Sequence, residues 1–248
     1  GRAMSGRRVV LVTGGGRGIG AAVVRLAAGG GWDVAFTYAA NAARAAETEA
    51  AARALGAEVL AIRADVADAP ATEAVFAAVD GRFGRLDGLV NNAGITGPRG
   101  TLAETPDAVW EGVLRTNVLG TVMCCRAALR RLPAGGAIVN VSSRAAGLGG
   151  GGEWIHYAAS KGAMDTLTIG LAKEAAAQGV RVNAVSPGLI DTELHAAAGM
   201  PDRVARFASA VPLARGGTAE EVAEAVVWLL SDAARYVTGA NLHVSGGR

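Results

Sequence analysis

The sequence predicts a doubly wound α/β domain of Rossmann type, a parallel sheet with helices on both faces. Three observations predict it. Seven short runs are rich in Val, Ile and Leu, six stretches of helical spacing alternate with them, and a glycine-rich turn joins the first run to the first helix. Continuously apolar strands separated by helices of ten residues or more need crossover connections, which cover both faces of a parallel sheet.

In chain order, the first strand is read at Arg8–Thr13 and the first helix at Gly18–Ala28. Strand Asp33–Tyr38 and helix Ala42–Leu55 follow, then strand Glu58–Arg63 and helix Ala71–Phe83. The second half repeats the alternation with strand Asp87–Asn91, helix Asp107–Leu132, strand Ala137–Ser142 and helix Ile155–Gln178. Strand Val180–Ser186, helix Ala219–Ser231 and strand Asn241–Val244 complete it. The strands are short and continuously apolar, and the helices carry period 3.6. No internal repeat or polar linker divides the chain, so residues 8–248 are expected to form one domain after a tail at residues 1–7. Residues 1–3 read as a cloning remnant before a native Met4.

Composition excludes several function classes. Lys and Arg number 24 against 22 Asp and Glu, and the cations are scattered rather than striped, which argues against a nucleic-acid footprint. No apolar run reaches the roughly 18 residues of a membrane span, and the start lacks a signal peptide's apolar region, so a cytoplasmic protein is expected. Cys124 and Cys125 are adjacent, a poor geometry for a bridge, and read as reduced core thiols. No His, Cys and carboxylate cluster has metal spacing.

Two glycine-rich stretches interrupt the regular pattern at carboxyl ends of strands, where ligands of open α/β sheets bind. The first, Thr13-Gly14-Gly15-Gly16-Arg17-Gly18-Ile19-Gly20, follows a strand and opens a helix. Glycines admit positive φ and close backbone approach, and the helix N-terminus favours an anion, so a pyrophosphate is the natural guest. No Lys-Ser/Thr pair follows, which excludes a Walker loop. The second strand ends Phe36-Thr37-Tyr38-Ala39-Ala40-Asn41, with no carboxylate until Glu47 to meet a ribose or repel a 2′-phosphate. Together with the planar fork of Arg17, this favours NADP over NAD.

The second stretch, Gly147–Gly152, precedes the helix holding Tyr157-Ala158-Ala159-Ser160-Lys161. Four residues put Tyr157 and Lys161 on one face, one turn apart. A phenol titrates near 10. An ammonium about 4 Å away at effective dielectric about 20 is worth roughly 4 kcal/mol, or about 3 pK units. That is enough to bring Tyr157 into general acid–base work. Ser143, ending the fifth strand, is placed to orient a substrate oxygen. Lys161 and Lys173 are the only lysines in an Arg-rich chain, and Lys173 reads as an ordinary helix-face residue. His156 precedes Tyr157 on a different side of the helix and reads as pocket wall or surface, while His195 and His243 stand isolated.

These residues resemble the classical short-chain dehydrogenase/reductase family from Arg8 to Gly247. The resemblance rests on Thr13-Gly14-x-x-x-Gly18-x-Gly20, Asn91-Asn92-Ala93-Gly94, Asn117, Ser143, Tyr157-x-x-x-Lys161, Pro187-Gly188 and Val237-Thr238-Gly239-Ala240-Asn241. It implies a seven-stranded sheet of order 3-2-1-4-5-6-7 and a homo-oligomer, a tetramer or dimer. By resemblance, Tyr157 is the general acid/base, Lys161 lowers its pKa and bonds the nicotinamide ribose, Ser143 holds the substrate oxygen, and Asn117 supports a relay water. Asp65 and Val66 are implied at the adenine and Asn91, Ala93 and Gly94 along the cofactor channel. Pro187, Gly188, Ile190 and Thr192 are implied at the nicotinamide end. The chain departs from many NADP-dependent members at Ala39-Ala40, where they carry Arg or Ser, leaving Arg17, Tyr38 and Asn41 for the 2′-phosphate. Residues 189–215 resemble the family's variable substrate lid. The implied activity is NADPH-dependent reduction of a small-molecule ketone, or oxidation of the matching alcohol. A 3-oxoacyl thioester and a sugar or small alcohol are the substrate alternatives. A sensor without chemistry on the same fold is the competing class.

Overall fold

The computed structural model describes residues 6–192, 200 and 202–248. Its seven strands are β1 (Val9–Val12), β2 (Asp33–Tyr38), β3 (Val59–Arg63), β4 (Gly88–Asn91), β5 (Ala137–Val141), β6 (Arg181–Pro187) and β7 (Asn241–Val244). They form one parallel sheet in the order β3-β2-β1-β4-β5-β6-β7. The strand order therefore reverses between β1 and β4, opening a crevice at their carboxyl ends.

Successive strand residues face opposite sides of a sheet, and β1 divides the core accordingly. Val10 and Val12 join Val23, Val24, Ala27, Val222, Val226 and Leu229 under α1 (Gly18–Gly29) and the last long helix. Val9 and Leu11 join Val75, Phe76, Val79, Cys124, Cys125 and Ala172 on the other side. The helices there are α3 (Ala69–Phe83), α5 (Gly120–Leu129) and α7 (Ile155–Ala175). α2 (Ala42–Ala54) flanks β2 and β3, and its apolar contact with the core runs through Ala45 and Ala52. Both cysteines are free and buried, and burial pushes each thiol up to about 12, as inert core groups require.

Two departures from the expected helices bear on the site. The stretch expected as one helix is α4 (Asp107–Leu114), a π-helical turn at Arg115–Leu119, and α5. A π turn accommodates one extra residue, and here it carries the fully buried Asn117. Periodicity over 26 residues does not expose one inserted residue because the apolar stripe continues beyond it. Short helices α6 (Ala145–Leu148) and α8 (Arg203–Phe207) lie within the loops after β5 and β6, and α9 (Ala219–Leu230) precedes β7. Residues 193–199 and 201 of the expected lid, His195 among them, and residues 1–5 of the tail lie outside the described residues. Among the described residues no helix is long and apolar enough to cross a membrane, and no His, Cys and carboxylate group could hold a metal.

Candidate active site

The glycine turn is braced from both neighbouring strands. The Gly14 N–H donates to Thr37 Oγ1 at 3.1 Å, and the Gly15 N–H to the Thr37 carbonyl at 2.8 Å. Thr13 Oγ1 accepts from the N–H groups of Asn92 and Ala93, both at 3.0 Å. Asn92 Nδ2 donates to the carbonyls of Thr13 and Gly14 at 3.1 and 3.0 Å. Gly18 has φ +53°, which favours glycine. A Cβ on Gly20 would lie 2.2 Å from the Gly14 carbonyl oxygen, so only glycine lets α1 start this close to the turn.

Arg17 is the exposed N-cap of α1 and makes no capping bond, which leaves the first N–H groups of the helix directed at the turn. A cleft of about 570 Å³ opens here, lined by Gly16, Arg17, Gly18, Arg44, Asp191 and Thr218 among others. It does not extend to Ser143 or Tyr157. Arg44 was not singled out from sequence, because its distance from the end of β2 hides it until α2 turns back toward the glycines. Asn41 caps that helix, its Oδ1 accepting from the Arg44 N–H at 3.0 Å. Tyr38 ends β2, half-buried beside Gly16. Ile19 packs part-buried on the core.

The remaining cofactor expectations fall on three loops. Asp65 Oδ1 accepts from the Ala67 N–H at 2.9 Å, and Val66 is buried against Gly120. Pro187 is the last residue of β6, the Gly188 N–H donates to the Val244 carbonyl at 2.9 Å, and Ile190 pairs with Gly217. Thr192 returns to the glycine turn, 3.8 Å from where a Gly18 Cβ would sit. Ala93 and Gly94 follow β4 in the same crevice, half-buried. The Asn91 side chain lies on the sheet face toward α5, donating from Nδ2 to Asn140 Oδ1 at 2.9 Å and to Cys125 Sγ at 3.3 Å. As the last residue of β4 it alternates inward, so Asn92 supplies the side chain that meets the turn.

At the reacting end, the Ser143 hydroxyl stands beside the Tyr157 phenol, and Ser143 Oγ accepts from the Ala145 N–H at 3.1 Å. Lys161 Nζ lies 5.6 Å from the Tyr157 ring centroid and donates to the Val141 carbonyl at 2.7 Å. Asn117 Oδ1 accepts from the Ile95 N–H and its Nδ2 donates to the Ile95 carbonyl, both at 2.8 Å. A second Nδ2 bond reaches Ser160 Oγ at 3.0 Å, and the Asn117 carbonyl accepts from Thr121 Oγ1 at 2.9 Å. The amide therefore braces the loop after β4 against α7. His156 is buried and not at the surface, with Nε2 2.9 Å from the Thr96 carbonyl and Trp110 edge-on at 5.9 Å.

The electrostatic balance corrects the expected one. Burial raises the Tyr157 phenol above its ordinary value, and the Ser143 hydroxyl beside it opposes that rise. Burial lowers Lys161 to about 8, while the negative charge of Asp165, one turn further along α7, works the other way. The expectation counted the attraction of ammonium for phenolate and omitted the desolvation of both groups, which is the larger influence on each. Asp165, with Oδ1 accepting from Ser142 Oγ at 2.5 Å, was missed, although its four-residue spacing from Lys161 was visible.

The chain is similar to known proteins along nearly its whole length. A family model described as enoyl-(acyl carrier protein) reductase matches residues 14–248. The chain is 49% identical over 245 residues to the uncharacterized oxidoreductase YgfF of Escherichia coli K12, covering 97% of this chain and 99% of that one. It is 42% identical over 243 residues to a cis-4-hydroxycyclohexanecarboxylate dehydrogenase of Sinomonas cyclohexanicum, covering 97% and 96%. A crystal structure of a short-chain dehydrogenase from Burkholderia cenocepacia J2315 in complex with NADP superposes with TM-score 0.91 at 36% identity, covering 99% of both chains.

Proposed function

The chain belongs to the short-chain dehydrogenase/reductase family and is an NAD(P)-dependent oxidoreductase acting on CH–OH groups; on that premise we propose that it uses NADPH to reduce a ketone to a secondary alcohol, or runs the reverse reaction. The observation that carries this reading is the placement of the Ser143 hydroxyl beside the Tyr157 phenol just beyond the carboxyl end of β5, with Lys161 Nζ 5.6 Å from the phenol ring centroid. Two neighbouring hydroxyls can share one substrate oxygen. Such a pair suits a carbonyl becoming an alcohol better than a carbon–carbon double bond, and one relative is named a dehydrogenase of cis-4-hydroxycyclohexanecarboxylate.

The residues present fit a nicotinamide dinucleotide. A cradle that a Cβ at Gly20 would fill, the first N–H groups of α1, and the guanidinium groups of Arg17 and Arg44 suit pyrophosphate and 2′-phosphate. Gly14, Gly18, Ile19 and Gly20 would hold the phosphates, and Arg17 and Arg44, with Tyr38 and Asn41 nearby, the adenosine end. Asp65 and Val66 would meet the adenine, and Ala93, Gly94, Pro187, Gly188, Ile190 and Thr192 would line the path to the nicotinamide. When bound, the nicotinamide supplies or accepts the hydride. Ser143 donates to the substrate oxygen and fixes its position. Tyr157 gives its phenolic proton to that oxygen in reduction and takes it back in oxidation. Lys161, while charged, favours the phenolate that reduction leaves behind.

We also propose a homo-oligomer. Leu119 and Ile169 on α5's approach and α7, with Trp228 and Leu242 near the β7 edge, are exposed apolar side chains that a second copy would cover. The function is tested by incubating the protein with NADPH and a panel of ketones while following nicotinamide absorbance. Turnover lost in Tyr157→Phe with NADPH binding retained supports the proposal, and binding without turnover on any carbonyl favours a sensor.

A further inference from the structure

The loops that follow β4, β5 and β6 meet at one acidic side chain, Glu153. From the loop after β6, Arg203 reaches it with two bonds, Nη2 to Oε2 at 3.0 Å and Nη1 to Oε1 at 3.2 Å. From the loop after β4, the Arg99 guanidinium stands 3.7 Å away, and the Gly100 N–H donates to the Glu153 carbonyl at 2.9 Å. The neighbouring Trp154 donates from Nε1 to the Gly97 carbonyl at 3.1 Å. The Arg203 guanidinium lies over the rings of Trp154 and Phe207, 5.0 and 5.3 Å from their centroids. The two charged side chains are only 13% and 23% exposed.

We propose that the Arg203–Glu153 pair is a positioning device that ties the three loops walling the substrate side of the site, and so sets how tightly and selectively the ketone is held. The role in ketone binding rests on the function proposed above; the tie itself does not. Neither partner segment holds its own shape. α8 has five residues, too few to persist alone. Glu153 follows four consecutive glycines, of which Gly149, Gly150 and Gly152 have positive φ and are costly to order. A bidentate pair between two aromatic faces supplies the missing anchor, because the planar fork fixes direction as well as distance. Ligands of open α/β sheets bind outside the carboxyl ends of the strands, and these three loops leave adjacent strands at that end. Arg203, Arg99 and Arg248 hold the Glu153 carboxyl below its usual range, so the pair stays charged through neutral pH.

The test uses Arg203→Met, Glu153→Gln and the double variant, read by amide hydrogen exchange and steady-state kinetics. Exchange is expected to quicken together in residues 97–104, 149–154 and 202–210 for each variant. The double variant should be no worse than Arg203→Met, because contacting partners do not add. The ketone KM should rise about tenfold while kcat changes less than about threefold, with NADPH affinity held and Arg203→Lys intermediate. Quickening confined to residues 202–210, additive effects, or a parallel loss of NADPH affinity overturns the proposal. A wild-type protein that reduces no ketone would sink the function proposed above, and the exchange pattern would still decide the tie.

Discussion

Lys161 Nζ stands 5.6 Å from the centroid of the Tyr157 ring, yet its hydrogen bond goes to the Val141 carbonyl at 2.7 Å. The ammonium is thus held by β5 at a fixed distance from the phenol. A charge fixed in this way costs no reorganisation when the phenolate forms. The same burial that fixes it also weakens it, since a lysine lowered to about 8 is only partly charged in mildly alkaline solution.

Alcohol oxidation requires Tyr157 to have lost its proton, and burial raises the phenol. Oxidation rates should therefore climb with pH into the alkaline range. Lys161 carries its charge mainly below about pH 8. Lys161→Met should therefore depress the oxidation rate there by up to about a hundredfold, given roughly 3 kcal/mol for charges near 6 Å at effective dielectric about 20, and should converge on the wild type at higher pH. The pH–rate profiles of the two proteins check this, and profiles that coincide throughout contradict it.

Stability should show the cost of burying Lys161. Its folded pKa, about 8, lies below the unfolded lysine value near 10.4. Below pH 8 both states carry the proton and the full burial cost is felt. Between about 8 and 10 the unfolded state binds more protons, so stability rises with pH by up to a few kcal/mol. The thermal midpoint of the wild type should therefore gain on that of Lys161→Met between pH 7 and 9.5. A constant difference across that range contradicts the depressed lysine.

Cofactor choice is expected to rest on two arginines of the phosphate cleft. Arg17→Ala and Arg44→Ala should each weaken NADPH by about tenfold, the loss of roughly one charge-assisted phosphate contact. NADH binding should change much less, because it lacks the 2′-phosphate. Titrations of both cofactors against both variants decide the matter, and equal losses for NADPH and NADH remove the arginines from that role.

The sheet was legible because its central strands β1, β4 and β5 are nearly continuous apolar runs, and Val10–Val12 or Ile138–Val139 cannot sit elsewhere than in a two-sided core. The site was legible where one spacing carries the chemistry, as in Tyr157 and Lys161. It was not legible where a side chain serves the backbone. Asn92 and Thr37 brace the glycine turn from other strands, and nothing local to either residue marks that duty. Direction was also hidden: Asn91 and Asn92 are alike in sequence, and only the strand's alternation sends one into the sheet and the other to the turn. Desolvation followed from packing of the whole domain, so the spacing of Tyr157 and Lys161 gave their attraction but not its larger opponent.

Asn117 sets the last expectation. Its amide accepts from and donates to the main chain of Ile95 and also donates to Ser160, so it joins the loop after β4 to the helix of Tyr157 across the π turn. Asn117→Ala would leave the Ile95 N–H and C=O without those partners inside the protein, at about 1–3 kcal/mol for each group that stays buried. The variant should melt several degrees lower, and the Ile95 amide should exchange faster. Because Gly94 lies beside both Asn117 and Lys161, loosening this loop should also lower kcat/KM more than NADPH affinity. Asn117→Asp keeps the acceptor for the Ile95 N–H but turns the two donor bonds into oxygen–oxygen contacts, so it should be no better than the alanine. A melting temperature unchanged in Asn117→Ala would show that the amide is not what holds the loop after β4 to α7.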